Sequence, residues 1–498
     1  MAQYFLGIDA GLTVTKAVVF ALDGTQVAVE ARRVRTVSEV PRHVERDQDE
    51  LWDAVVAAVR GVLVAARVDP ADIAGIGVTA HGDGLYFVDA DLRPVGRGIA
   101  SLDTRAGDIL RRWHEDGTDR RALEVTGQMP FASTPATLLA WFAEHDPDTL
   151  ARAAWALPCK DMLKARLTGR VTTDRTEASL SFVDYRTQEY SADAFEVYGL
   201  GAYRDLFSPA YDSTDVVGGL TDDAARQLGL IAGTPVAASA HDVDCSALGT
   251  GAWQPGAMSV IAGTYSINQS ISAAPAPDVA WCTRNFVVPG QWMNQAVSPS
   301  SATNMEWFVQ RVMVGPGGVS GADVFARVEA EIAAIDVDAD EVIYAPFLYG
   351  SPLDADASAS FLGVRGWHTR GHLLRAVMQG VAFNHRHHID ALRTAFPVER
   401  IHLTGGATQS ARWAQMFADV LNADVAIAAV SESGALGACM LTAVAVGAHT
   451  SLGEAVEAMV GDLRTFTPTP QGVARYEAGY TRYRAALAAL EPFWGPRH

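Results

Sequence analysis

A chain of 498 residues, 49% hydrophobic, 8% aromatic and 19% charged, is long enough for two or three domains and apolar enough to fill their cores, which argues against wholesale disorder. Its 58 acidic and 39 basic residues leave a net charge of −19, a balance that repels phosphodiester backbones and anionic lipid, so no nucleic acid and no membrane partner is expected. Cys159, Cys245, Cys282 and Cys439 stand far apart without a CxxC pair, which fits a reduced compartment and neither a zinc site nor a disulfide framework.

The opening YFLGID has no basic start and no apolar signal segment, and a cytoplasmic protein is expected. Residues 4–9 form a strand, Ala10-Gly11 breaks it, residues 15–22 resume it, Asp23-Gly24 turns, and residues 25–34 continue. Residues 49–66 place Trp52, Val55, Val56, Val59, Val62 and Leu63 on one helical face. Residues 73–79 read as a strand, followed by the loop AHGDG and a short strand at 85–88. The pattern restarts in the second half: strand 257–262, turn Gly263-Thr264, strand 265–272. Strand 400–404 then meets Gly405-Gly406 and a helix at 410–421. Residues 434–448, rich in Gly and Ala, are expected to be a buried helix, too short for a membrane span. Helices after strands with glycine turns between them predict an α/β fold of two related halves, divided where HDVDCSALGTGAWQPG concentrates turn residues, as 1–245 and 246–498.

Three turns carry phosphate chemistry: Asp9 with Gly11, Thr13 and Lys16; Gly263-Thr264; and Gly405-Gly406-Ala407. Glycines admit phosphate oxygens to the backbone N–H groups, and a strand-end carboxylate suits the water shell of Mg²⁺. No Walker A motif is present. In NHRHH, His385 and His388 share a helical face without a carboxylate at ligand spacing, so a partly exposed helix is expected and not a metal site.

Two stretches make the resemblance specific. Residues 133–145 (STPATLLAWFAEH) and residues 359–379, from ASFLGV to HLLRAVMQ, are similar to the signature of the FGGY carbohydrate kinases, with Leu138 where that family has lysine. The resemblance runs from GIDAG to ESGALGA. It implies two ribonuclease-H-like (actin/hexokinase-like) domains with an interdomain catalytic cleft, a sugar-binding half with the first phosphate loop, a nucleotide-binding half, and ATP and Mg²⁺ as cofactors. It also implies that Asp9 lies by the metal and phosphates, holding Mg²⁺ through water, with Gly11, Thr13 and Lys16. Gly263 and Thr264 match the second phosphate loop, and Gly405, Gly406 and Ala407 the adenosine loop. Leu12 replaces the hydroxyl residue usual in the first loop, which leaves only its backbone as a donor.

In SAHDVDC, Asp242 matches the catalytic aspartate, with Asp244 as the local rival. Such a group orients the acceptor hydroxyl and takes its proton late in a loose transition state. His81, Gly82 and Asp103 match substrate-facing positions, although Asp103 has Arg105 within reach as an ion-pair partner and Asp83 can serve its turn alone.

GVTAHGDGL, DILRRWHEDG, PFLYGS and HTRGHLL resemble L-xylulose kinase-type members, which implies a pentulose acceptor. The AHGDG loop is also similar to tetritol kinases, which usually have Gln in place of His81, so a polyol acceptor is the alternative. A catalytically silent, actin-like sugar sensor is the rival of a different class. The implied partners are a small sugar and ATP, and a homodimer is compatible with the sequence.

Overall fold

The computed structural model describes residues 3–314, 322–336, 341–351 and 357–494. The chain forms two compact units: Met1–Pro255 with Ile271–Asn294 and Ala429–Asp462, and Gly256–Ser270 with Gln295–Ala428 and Leu463–His498.

In the first unit, β1 (Tyr4–Ala10) and β2 (Val14–Ala21) form an antiparallel hairpin in which Asp9 faces Lys16. β3 (Gln26–Arg33) continues antiparallel after the Asp23-Gly24 turn. β4 (Ile73–Ala80) runs parallel to β1 and sets Thr79 beside Asp9. With β5 (Val216–Gly219) and β6 (Pro235–Ala237) the sheet order is β5-β6-β4-β1-β2-β3.

The helix Gln48–Ala66 starts where the Asp47 carboxylate accepts the Asp49 and Glu50 N–H groups, an N-cap contributing about 1 kcal/mol. It stops at Arg67, whose φ is 53°. Leu51, Val55, Val59 and Val62 are buried in the same core as Leu6, Ile8 and Val19 of the sheet, each contributing roughly 1.5–3 kcal/mol.

The helix Ser433–Ala445 is apolar all round, as a fully enclosed helix must be. Its small residues bring backbone against backbone. A Cβ on Gly437 would lie 1.9 Å from the Cys245 carbonyl, and one on Gly77 of β4 would lie 2.4 Å from that of Ala438.

The second unit repeats the arrangement. β7 (Ala257–Ala262) and β8 (Ser266–Ser272) form a hairpin, β9 (Arg400–Thr404) pairs parallel to β7, and β10 (Val425–Ala428) pairs parallel to β9. β11 (Leu463–Phe466) closes this run antiparallel. Ser410 caps the helix Ala411–Leu421 by accepting the Trp413 N–H. Each unit therefore carries the hairpin-plus-parallel-strand core of a ribonuclease-H-like α/β domain.

Two expectations are corrected. The glycine-dense stretch after residue 240 is a helix, Asp242–Gly249, because its Gly249 serves a close helix contact rather than a turn: a Cβ there would lie 2.0 Å from the Ser433 carbonyl. NHRHH is not partly exposed at the paired histidines. His385 bonds Ser301 Oγ at 2.8 Å and Asn268 Oδ1 at 2.7 Å, and His388 bonds Ser298 Oγ at 2.6 Å. These polar partners allow both rings to be buried. Among the described residues no helix is long and apolar enough to cross a membrane, and no group of three or more His, Cys, Asp or Glu side chains could hold a metal.

Candidate active site

Asp9, Gly11, Thr13, Lys16, His81, Gly82, Asp103 and Asp242 all belong to the first unit. Asp9 is the next-to-last residue of β1, and Gly11 and Thr13 lie in the turn into β2. Burial pushes the Asp9 carboxyl up to about 6, opposed by Lys16 and reinforced by Glu432. Lys16 Nζ lies 2.7 Å from Glu432 Oε2, so its charge is already shared with a carboxylate.

The turn itself is pinned from below. Arg46, wholly buried, donates from Nη2 to the carbonyls of Gly11, at 2.9 Å, and Leu12. A buried guanidinium bonded to both carbonyls holds the loop backbone in place, although the Leu12 side chain offers no hydrogen bond.

Asp242 opens the helix Asp242–Gly249, and 33% of its side chain reaches solvent. Desolvation pushes its carboxyl up to about 7, Asp9 and Asp83 add to the rise, and the Val243 and Gly82 N–H groups oppose it. A carboxyl with a pKa near the working pH has the property a general base needs. The rival Asp244 is buried, with a carboxyl pushed well above its ordinary range by burial and by the charges of Asp174 and Asp242.

His81 follows β4. Its Nε2 lies 2.9 Å from the Tyr86 hydroxyl, and burial, with the positive charge of Arg46, lowers its pKa to about 3, so the ring is neutral. Gly82 has no room for a side chain, since a Cβ would lie 1.4 Å from His241 Nε2. Asp103 is enclosed by protein partners. Its Oδ1 accepts the Arg105 N–H and Nε–H, each at 2.9 Å, and its Oδ2 accepts Arg105 Nη2 at 2.8 Å and the Val44 N–H at 2.7 Å.

In the second unit, Gly263 and Thr264 form the turn between β7 and β8, and Gly405, Gly406 and Ala407 follow β9. The structure brings these turns together. Gly405 has φ 94°, and a Cβ there would lie 2.5 Å from the Ala262 carbonyl and 2.9 Å from the Gly263 nitrogen. The Thr264 carbonyl accepts the Ser301 N–H at 3.0 Å and the Thr303 hydroxyl at 3.1 Å, which fixes the peptide plane of the turn.

Several residues escaped sequence reasoning. Arg284 bonds Asp83 at 3.2 Å and Gln128 Oε1 at 2.8 Å, contacts separated by 201 and 156 positions in the chain, with no local signal. Asp83 itself has φ 55° and its loop role is joined to this ion pair. Beneath the site, Lys160 Nζ bonds Asp161 at 3.0 Å and Asp174 at 2.9 Å, and Lys164 lies 2.9 Å from Asp161, all with fully buried side chains. The KDMLK spacing, with Lys164 three residues after Asp161, was the available signal.

Paired glycine turns in duplicated halves, with one carboxyl near a strand end and another at a helix start, are the features of a phosphotransferase. Residues 4–249 match the N-terminal domain of the FGGY family of carbohydrate kinases, and residues 258–446 match its C-terminal domain. The chain belongs to this family. It is 31% identical over 497 residues to the L-xylulose/3-keto-L-gulonate kinase of Escherichia coli (strain K12), covering 99% of this chain and 98% of that protein. It is 30% identical over 506 residues to the erythritol kinase of Brucella abortus (strain 2308), covering 98% and 96%. The crystal structure of xylulose kinase from Rhodospirillum rubrum superposes with a TM-score of 0.87 at 27% identity, over 99% of this chain and 100% of that one.

Proposed function

We propose that this kinase transfers the γ-phosphoryl group of ATP to a terminal hydroxyl of a small ketose, with L-xylulose or another pentulose as the acceptor. The observation that carries the reading is Asp242. It lies at a helix start, is partly open to solvent, and has a carboxyl pushed up to about 7. Asp242 orients the acceptor hydroxyl and receives its proton as the O–P bond forms; the bond from the γ-phosphorus to the bridging oxygen breaks and ADP leaves. His81, Gly82 and Asp103 shape the acceptor side, Asp103 through Arg105.

The N–H groups of the Gly11–Thr13 and Gly263-Thr264 turns, with Lys16, hold phosphate oxygens, and Gly405, Gly406 and Ala407 hold the adenosine. A buried carboxylate beside a second one fits a divalent cation, and Asp9 would hold Mg²⁺ through its water. When bound, Mg²⁺ supplies charge neutralisation at the phosphates. On this reading residues 1–245 serve the sugar and the first phosphate loop, residues 246–498 serve the nucleotide, and the enzyme works in the cytoplasm.

The likeness to the L-xylulose/3-keto-L-gulonate kinase supports a ketose acceptor, and the AHGDG loop with the likeness to an erythritol kinase supports a tetritol as the second reading. Measuring ADP release over ketopentoses, pentitols, tetritols and glycerol separates the two. L-Xylulose is expected to give the highest kcat/KM. A tetritol in first place replaces the acceptor, and no acceptor-stimulated turnover overturns the kinase reading in favour of a sensor.

A further inference from the structure

We propose that His241 is a positioning residue for the Asp242 carboxylate and is itself held by Asp244, the three side chains forming one line that ends at the proton-accepting group. The inference rests on Asp242 being the base, as argued above.

The geometry is specific to this segment. His241 Nε2 lies 3.4 Å from Asp242 Oδ1, and His241 Nδ1 lies 3.5 Å from Asp244 Oδ2. The His241 and Asp244 side chains are 5% and 2% exposed, so each ring nitrogen meets a carboxyl and no solvent. Nε2 of His241 and Oδ1 of Asp244 have no hydrogen-bond partner among the described residues. Both separations are a few tenths of an ångström longer than a hydrogen bond, as is common at active sites before the substrate draws the groups in.

The rest of the molecule is built around this ring. Gly82 supplies the space for it, because any side chain there would occupy the position of Nε2. The His241 N–H donates to Thr176 Oγ1 at 2.9 Å, and that hydroxyl donates to Asp174 Oδ2 at 2.8 Å. Asp174 Oδ1 in turn receives Lys160 Nζ at 2.9 Å. The buried ion cluster thus fixes the backbone from which the imidazole projects.

Proton positions follow from the chemistry of the partners. The charged and titratable groups acting on His241 are Arg284, Lys160 and His81, with Asp242 and Asp244 at its two nitrogens. Burial and the cations hold the imidazole neutral, and burial shifts Asp244 toward its protonated form. A neutral imidazole has one N–H and one lone pair. An ionised Asp242 carboxylate can only accept, so the tautomer that gives it a hydrogen bond carries the N–H on Nε2, and the Nδ1 lone pair is left facing Asp244. The opposite tautomer would set a lone pair against the carboxylate. A neutral donor on Oδ1 fixes the rotation of the Asp242 carboxylate and stabilises its ionised form against desolvation.

The test compares full-length His241→Ala, His241→Gln, His241→Asn and Asp244→Asn with the wild type, using ATP and L-xylulose, or the best acceptor of the panel if L-xylulose is inactive. His241→Ala is expected to lower kcat by about 10- to 100-fold with KM for ATP little changed. Gln places an amide N–H near the Nε2 position and should restore most of kcat, whereas Asn places it near Nδ1 and should not. Asp244→Asn keeps a group that can hydrogen-bond Nδ1 and should lower kcat less than His241→Ala does. Equal kcat in the wild type and His241→Ala overturns the proposal, and so does equal behaviour of the Gln and Asn variants, which decides the matter if the Ala variant does not fold. A wild type without acceptor-stimulated ADP release is a separate failure, that of the kinase reading itself.

Discussion

Arg105 grips Asp103 through both carboxylate oxygens, with side chains 3% and 0% exposed, and its Nη2 also reaches Glu45 at 2.7 Å. Replacing Asp103 with Asn leaves a buried guanidinium short of a counter-charge and should destabilise the fold by about 3–5 kcal/mol. Urea unfolding measures this. Lost turnover with unchanged stability would instead place Asp103 directly on the acceptor.

The elevated Asp242 carboxyl sets a pH dependence. Turnover is expected to rise with pH through about 7, as the group ionises. For stability the sign is opposite. The folded value lies above the ordinary 3.8, so this group's contribution is fully present below about 4 and is lost as pH rises through about 7. Asp242→Asn should therefore abolish turnover, retain ATP binding, and unfold at a higher temperature than the wild type at pH 8. A lower Tm for the variant at that pH would contradict the burial argument.

Lys16 lowers the Asp9 pKa and Glu432 raises it. Lys16→Met should move Asp9 upward from about 6, and Glu432→Gln should move it downward. Titration of the free enzyme, followed by carboxyl NMR shifts, should show displacements of opposite sign in the two variants. Displacements of the same sign would mean that the Lys16–Glu432 pair acts on Asp9 only through packing.

Gly82→Ala should displace the His241 ring and lose both activity and stability. In the His241→Ala background the same substitution has room, so the two effects should couple by about 1–3 kcal/mol in a double-mutant cycle of unfolding free energies. Additive effects would show that the ring moves aside without cost.

His385→Leu removes the partner of Ser301 and Asn268 in the second unit and should destabilise the protein by about 2–3 kcal/mol, read as a fall in Tm. A chelator should leave the wild-type Tm unchanged, since these rings are hydrogen-bonded to Ser and Asn side chains.

Much of the scaffold was legible because it obeys local periodicity. The strands at Tyr4–Ala10, Ala257–Ala262 and Arg400–Thr404 and the helix Gln48–Ala66 fall within a residue of their expected limits. The helix at Asp242 was misread because its glycine signals a close contact with Ser433, a partner 184 positions away that composition cannot reveal. The same limit hid Arg284 from Asp83 and Arg46 from Gly11. Burial of the NHRHH pair was likewise invisible, because serine and asparagine partners from two distant segments satisfy the rings. Asp244 stood in plain sight as a rival to Asp242, and the structure distinguishes them by exposure: 33% of the Asp242 side chain is open against 2% of the Asp244 side chain.

The backbone contacts of Gly77 with Ala438 and of Gly437 with Cys245 have a consequence for biosynthesis. The helix that closes the first unit lies far downstream of the strands it covers, so the ribosome must translate beyond residue 445 before that unit can be completed. At a typical pace of roughly 5–20 residues per second, the nascent N-terminal sheet waits on the order of tens of seconds with β1 and β4 uncovered where this helix will lie. Chaperone dependence should therefore fall in a circular permutant that begins shortly before Ser433.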